Sequence, residues 1–241
     1  GLRLLERLGH VLHPTYAALT PVTADPAPFG DLSGVSLEVA LTARAGGRAA
    51  TARGGFLFTH RGYSGPSVLD VSHVAVRGRA EGVPANATVA VQWTAHDERA
   101  WDAMLRATDG PNGGARAVAS VVRGALPDRL ADALVARAAV DPARRLAELS
   151  RDERRRLVDV LVRGDLPWTG DEGYKKAEVT GGGVALAEVD PRTMESRRHP
   201  GLFLCGEVLD AFGPIGGYNF LWAWVTGRAA GRGSARVGTA A

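Results

Sequence analysis

A single cysteine, Cys205, stands in 241 residues. It excludes an internal disulfide framework and disfavours a thiolate metal site. Lysine is scarce beside arginine, and the formal charge is only +3. The basic pI of 9.4 therefore reflects coding bias as readily as nucleic-acid binding, and no basic stripe interleaved with aromatics supports the latter. No apolar run approaches the roughly 20 residues that span a bilayer, and no signal peptide opens the chain. The expectation is a cytoplasmic protein with no membrane or nucleic-acid partner. Three catalytic signatures are also missing: GxGxxG, GxxxxGK[ST] and the GxSxG elbow. The chain starts at Gly1, without an initiator methionine, in what reads as the last turns of a helix. That points to a fragment.

What is present is an ordinary globular composition, enough for one large domain or two small ones. Leu4, Leu5 and Leu8 make a helical stripe that Gly9 ends. His10 and His13 lie three apart with no third ligand at metal spacing, which favours structural roles. Val35, Leu37, Val39 and Leu41 alternate with polar or small residues, as in a half-buried strand. Gly46-Gly47 turns the chain into a second strand over Ala49–Arg53, and Phe56–Phe58 is a third apolar piece. Pro66 starts a short helix, with Ser64 as its cap, and a Pro84-Ala85-Asn86 turn precedes a strand at Val89, Val91 and Trp93. The region 32–94 reads as a small barrel or sandwich.

From Trp101 onward helical spacing takes over: Val118 to Leu126, Asp128 to Ala138, and Ala143 to Leu149 behind Asp141-Pro142. Ser150 and Glu153 form a capping-box pattern ahead of Leu157 and Leu161. The arginines between Arg151 and Arg156 read as a solvated helix face. Gly181-Gly182-Gly183 is a weak phosphate-loop signal or a tight turn.

The most informative stretch is Gly201 to Gly231. Leu202 to Cys205 reads as a short buried strand, Gly206-Glu207 closes it, and Gly213, Pro214, Gly216 and Gly217 form a bend. A helix follows from Tyr218, with Ala223, Gly227 and Gly231 on one small-residue ridge. Such a bend aims unpaired amides at one spot that suits an anion or a polarised carbonyl. Glu207 and Asp210 are available as ligand-binding or acid–base carboxylates, and Cys205 reads as a buried small hydrophobe.

The blocks GLFLCGEVLD, GPIGGYN and TGRAAG resemble the C-terminal cofactor motif of the HI0933-like flavoproteins, which include aminoacetone-oxidase-like FAD enzymes. LERLGH at Leu4–His10, FLFTHRGYSGP at Phe56–Pro66 and AEVTGGGVALAEVDPRTMES at Ala177–Ser196 match in the same order. Residues 95–168 match by helical character alone, and Gly55 departs from the glutamate usual before FTH. The resemblance implies a mixed α/β and α+β fold: the C-terminal piece of an FAD-binding dinucleotide-type domain with an inserted β-barrel-like and helical domain. Residues 1–18 would be a remnant of the FAD domain. Residues 19–176 would form the insertion, β-rich over 32–94 and helical over 98–164. Residues 177–231 would return to the FAD domain, and 232–241 would be a disordered tail.

By the same resemblance, Gly206, Glu207, Asp210, Gly216, Gly217, Tyr218 and Asn219 are the cofactor-binding candidates. Thr59, His60 and Ser64 are candidates for the substrate pocket, with His60 as a candidate acid or base. The implied activity is flavin-mediated electron or hydride transfer to a small molecule, with NAD(P)H a possible donor. The family's N-terminal GxGxxG segment is missing here, so the chain alone is expected to bind FAD weakly and to be inactive. The alternative is a non-enzymatic module that binds a protein or nucleic acid.

Overall fold

The computed structural model describes residues 1–80, 87–107 and 113–238; the Pro84-Ala85-Asn86 turn lies outside them. The order is α1 (Leu2–Arg7), β1 (Leu12–Ala18), β2 (Val22–Thr23), β3 (Ser36–Ala45), β4 (Arg48–Thr59), β5 (Gly62–Ser64), α2 (Pro66–Ala80) and β6 (Thr88–Gln92). It continues with α3 (Glu98–Arg106), α4 (Val118–Arg123), α5 (Asp128–Arg137), α6 (Arg151–Arg163), β7 (Gly164–Asp165), β8 (Gly170–Asp171), β9 (Val179–Val184) and α7 (Tyr218–Gly238).

Alternation in β3 places Val39, Leu41, Ala43 and Ala45 on the buried face. Gly46 and Gly47 take φ of 53° and 78°, the pair of left-handed residues that a two-residue hairpin turn requires. The hairpin register then runs unbroken from Ala45↔Arg48 to Ser36↔Leu57, so the second and third apolar pieces are one strand, β4. The helix from Pro66 extends to Ala80. Ser64 lies in β5, and the Gly65 carbonyl accepts the first helical bonds from Val68 and Leu69. Asp141 makes a local turn by accepting from the Ala143 amide, and a short 3-10 turn at Leu146–Glu148 replaces the α-helix expected there. The Ser150–Glu153 capping box is formed on α6.

Seven strands make one antiparallel sheet in the order β7-β6-β3-β4-β5-β2-β8. The barrel-like expectation is corrected here, because no ladder joins the terminal strands β7 and β8. Each pairs over two residues, too few to carry a closing seam. Only Leu166–Thr169 separate those two edges along the chain, which holds them within ~18 Å of each other. The sheet is thus curled but open. Phe29, Phe56, Phe58, Tyr63 and Trp93 pack inside the curl, with Trp93 stacked on Phe58 at 5.8 Å. They share one core with Trp101, Leu130, Leu134, Leu157 and Leu161 of the helices, and each large side chain buried there contributes about 1.5–3 kcal/mol.

A second core joins Leu5, Val184, Val189, Met194, Leu204, Leu209 and Ala230. It is organised by β1 paired antiparallel with β9. The three glycines are part of that ladder and form neither a phosphate loop nor a tight turn. A Cβ at Gly181 would stand 2.3 Å from the Tyr16 ring, and one at Gly182 would stand 2.2 Å from the Pro14 carbonyl oxygen. A third, smaller cluster joins Tyr16 and Ala18 of β1 to Val76 of α2, with Val179 of β9 and Phe212 packed against it. α7 continues through Gly238, past residue 232 where a disordered tail is expected; residues 239–241 lie outside the description.

Candidate functional site

The segment after Gly201 is not the buried strand its apolar run predicts. Phe203 forms an isolated bridge with Glu195, Leu204 alone of the four is buried, and Cys205 is exposed. The run is instead pinned by single bonds, Ser196 N–H to the Leu202 carbonyl and Leu204 N–H to the Met194 carbonyl. A short 3-10 turn, Gly206–Val208, follows. It is stitched to α7: the Gly206 amide donates to Thr226 Oγ1 at 2.9 Å, and Trp222 Nε1 donates to the Gly206 carbonyl at 3.2 Å. Glu207 Oε1 accepts from the Thr180 amide at 2.5 Å, which ties the turn to β9.

The loop ahead of α7 is shaped by two side chains. Asn219 Oδ1 accepts from the Gly213 amide at 2.8 Å, and its Nδ2 donates back to the Gly213 carbonyl at 3.1 Å. Asp70 of α2 accepts from the Ile215 amide at 2.7 Å. Between these clamps Gly216 and Gly217 take φ of 111° and 93°, a conformation only glycine enters cheaply. Neither amide has an acceptor among the described residues. Beyond its two chain neighbours, no atom of the described residues lies within 4 Å of where a Gly217 Cβ would stand.

Glu207, Gly216, Gly217 and Asn219 converge on one cavity of 270 Å³ whose walls include Phe212 and Trp222. Leu19 also lines it, fully buried and held at φ 51°, a left-handed backbone that costs a non-glycine residue about 1–2 kcal/mol. The arrangement offers free amides at a helix N-terminus, two glutamates (Glu178 and Glu207) and apolar walls. That combination suits a flat ring with a carbonyl or anionic edge.

The other candidates sit elsewhere. Gly206 is buried under α7, and Tyr218 is 55% exposed. Asp210 lies 3.8 Å from His13 Nε2 and 3.6 Å from Arg77. Thr59, His60 and Ser64 are in the β4–β5 turn and its strands, and none lines the cavity. Gly227 and Gly231 of the small-residue ridge do not pack on another element: nothing beyond the helix itself lies within 4 Å of either Cβ position. The inward face of α7 is Thr226, Ala230 and Gly233, where a Cβ would meet Phe203 and Thr193 at 2.7 and 2.7 Å. The outward face carries Phe220 and Trp224, 76% and 77% exposed.

Sequence reasoning missed two groups. Asp70 and His73, three apart on α2, face the loop; their only signal was polarity within the apolar pattern of Val68, Leu69, Val71 and Val74. The second is a Ser–His–Glu series: Ser196 Oγ lies 3.2 Å from His10 Nε2, and His10 Nδ1 lies 3.2 Å from Glu188. Ser196 also accepts from the Arg198 and His199 amides, and both Ser196 and His10 are buried. The series is a structural clasp, closed to substrate. Among the described residues no group of three or more His, Cys, Asp or Glu is placed to hold a metal.

The chain is 34% identical over 227 residues to a ribosomal RNA dihydrouridine synthase of Escherichia coli, covering 93% of this chain and 53% of that protein. It is 32% identical to the protein of the same name from Haemophilus influenzae, with the same coverage. It is 30% identical over 236 residues to a 3-dehydro-bile acid delta(4,6)-reductase of Clostridium scindens, covering 98% of this chain and 57% of that protein. The chain thus spans a little over half the length of these relatives. The sequence model described as HI0933-like protein Rossmann domain matches residues 1–233, so the chain belongs to the HI0933-like family.

Proposed function

We propose that this chain forms the flavin-ring side of an FAD-dependent oxidoreductase that saturates a carbon–carbon double bond in a ring substrate. The observation that carries the reading is the cavity where the acceptor-free amides of Gly216 and Gly217 meet the N-terminus of α7, Glu207 and apolar walls. These residues fit the group. The open space at Gly217 admits the carbonyl-bearing edge of an isoalloxazine ring, and the dipole of a 21-residue helix favours negative charge there.

When bound, the flavin supplies the hydride chemistry, with NAD(P)H the proposed electron donor. The chain's own residues do the remaining work. Gly216 and Gly217 donate hydrogen bonds, Asn219 and Asp70 fix the loop that presents those donors, and Trp222 and Phe212 exclude water from the ring. Residues 1–18 and 177–231 belong to the cofactor domain in this reading, and 19–176 to a substrate-side insertion. The sequence supplies no GxGxxG cradle for the adenosine half, so the chain alone binds FAD weakly and is inactive. The names dihydrouridine synthase and delta(4,6)-reductase both denote saturation of a double bond, which supports the reaction class.

The test is to produce the protein together with whatever its reading frame encodes upstream of Gly1 and to record its visible absorption. A bound flavin spectrum is expected, lost on Gly217→Val. A colourless protein that takes up no added FAD would sink the proposal.

A further inference from the structure

A second cleft, of 450 Å³, lies between Ala50–Arg53 of β4, Asp70 and His73 of α2, and Phe212–Pro214. Leu19 and Phe212 line both this cleft and the cavity of Gly216 and Gly217, so the two spaces share them as wall residues. We propose that this cleft is the substrate subsite, and that it takes a planar ring bearing an N–H beside a carbonyl. His73 Nε2 accepts from that N–H, and the Arg53 guanidinium donates to the carbonyl. The proposal rests on the flavin reading for what lies beyond the shared wall.

The polarity of His73 follows from its bonding. Nδ1 is 2.9 Å from the Asp70 backbone carbonyl. A carbonyl oxygen only accepts, so Nδ1 carries the proton and Nε2 of the neutral ring is an acceptor. Nε2 makes no hydrogen bond among the described residues. The ring is held edge-on against Phe212, centroids 5.4 Å apart at 78°, so the acceptor is fixed in orientation.

The charged groups around the ring are Asp70 and Arg77 on α2, Arg53 on β4, and Asp210, which pairs with Arg77. Burial lowers the His73 pKa from its usual value; the bond to Asp70 opposes that, and Arg77 reinforces it. The ring is thus neutral near pH 7 and available as an acceptor. Arg53, exposed at the rim, has no ion pair or hydrogen bond among the described residues. A free donor and a free acceptor in one cleft match adjacent carbonyl and N–H groups, as in a pyrimidinedione. A steroid enone offers the carbonyl alone.

Reduction adds a hydride to one carbon of the double bond and a proton to the other. With His73 neutral and its one proton held by a backbone carbonyl, its role is substrate binding, and solvent water supplies the proton.

The first experiment uses the chain itself, without cofactor. Histidine ring resonances are followed by NMR during titration with uridine, His73 being assigned by its loss in His73→Phe. The His73 signal is expected to move to saturation and its apparent pKa to fall further, because only the neutral ring is bound. N3-methyluridine, which lacks the N–H, and Arg53→Met are each expected to weaken binding about tenfold. A stationary His73 signal, or an equal response to N3-methyluridine, overturns the proposal.

In the flavin-loaded protein, His73→Phe and Arg53→Met are expected to keep the flavin spectrum and to raise KM about tenfold with a smaller change in kcat. Loss of flavin from either variant overturns the subsite by assigning those side chains to the cofactor. A colourless wild-type protein instead overturns the flavin reading, and the NMR titration still decides the subsite.

Discussion

Asp70 of α2 accepts a 2.7 Å hydrogen bond from the Ile215 amide, 145 residues away along the chain. A helix on the face of the seven-stranded sheet thereby holds the glycine loop built on the other core. The presentation of Gly216 and Gly217 consequently depends on how the two cores are docked.

Breaking this bond should loosen the loop without emptying a core. A hydrogen bond to a charged acceptor contributes about 1.5–3 kcal/mol. Asp70→Ala is expected to weaken flavin binding by roughly ten- to a hundredfold on that scale, and Asp70→Asn by much less because it keeps an acceptor. Flavin fluorescence quenching on titration measures both. Equal effects of the two variants would remove the bond from the account.

Opposite faces of α7 should respond oppositely to the same chemical change. Gly227 and Gly231 have open space at the Cβ position, while Gly233 would drive a methyl into Phe203 and Thr193. Gly227→Ala and Gly231→Ala should each stabilise the chain by up to ~1 kcal/mol through helix propensity, whereas Gly233→Ala should destabilise it. Thermal unfolding of the three variants reads the difference directly.

The clasp at Glu188 makes stability pH-dependent. The Arg198 guanidinium beside Glu188, helped by His10, holds its carboxyl below the usual range. The unfolded chain therefore binds a proton at Glu188 more readily than the folded chain. This contribution to stability is complete above about pH 4.5, the ordinary glutamate value, and is lost as pH falls through the lower folded value. Denaturant midpoints should drop over that window, and Glu188→Gln should flatten the drop.

Local patterns were legible wherever local physics decides. The β3–β4 hairpin follows from alternation and Gly46-Gly47, and the start of α6 from Ser150 and Glu153. Where partners are distant, the sequence misled. Gly181 to Gly183 looked like a loop because their neighbours Tyr16 and Pro14 lie more than 160 residues earlier. Leu202–Cys205 looked like a covered strand, yet its one pairing is the isolated bridge of Phe203 to Glu195. The small-residue ridge on α7 was real, but composition alone did not say which face turns inward. At the candidate site the glycine bend was readable from its backbone demands. Asp70 and His73 carried no motif and came into view only with the docking of α2.

The route of the chain through its sheets has a kinetic consequence. β2, at residues 22–23, finds one neighbour in β5 and the other only in β8, at residues 170–171; β1 waits for β9, at 179–184. Such long-range pairings are slow because loop closure precedes any reward. During synthesis the β3–β4 hairpin and the helices after it can assemble while β1 and β2 remain unsatisfied on the nascent chain. Among the described strands, β1 and β2 are made first and locked in place last.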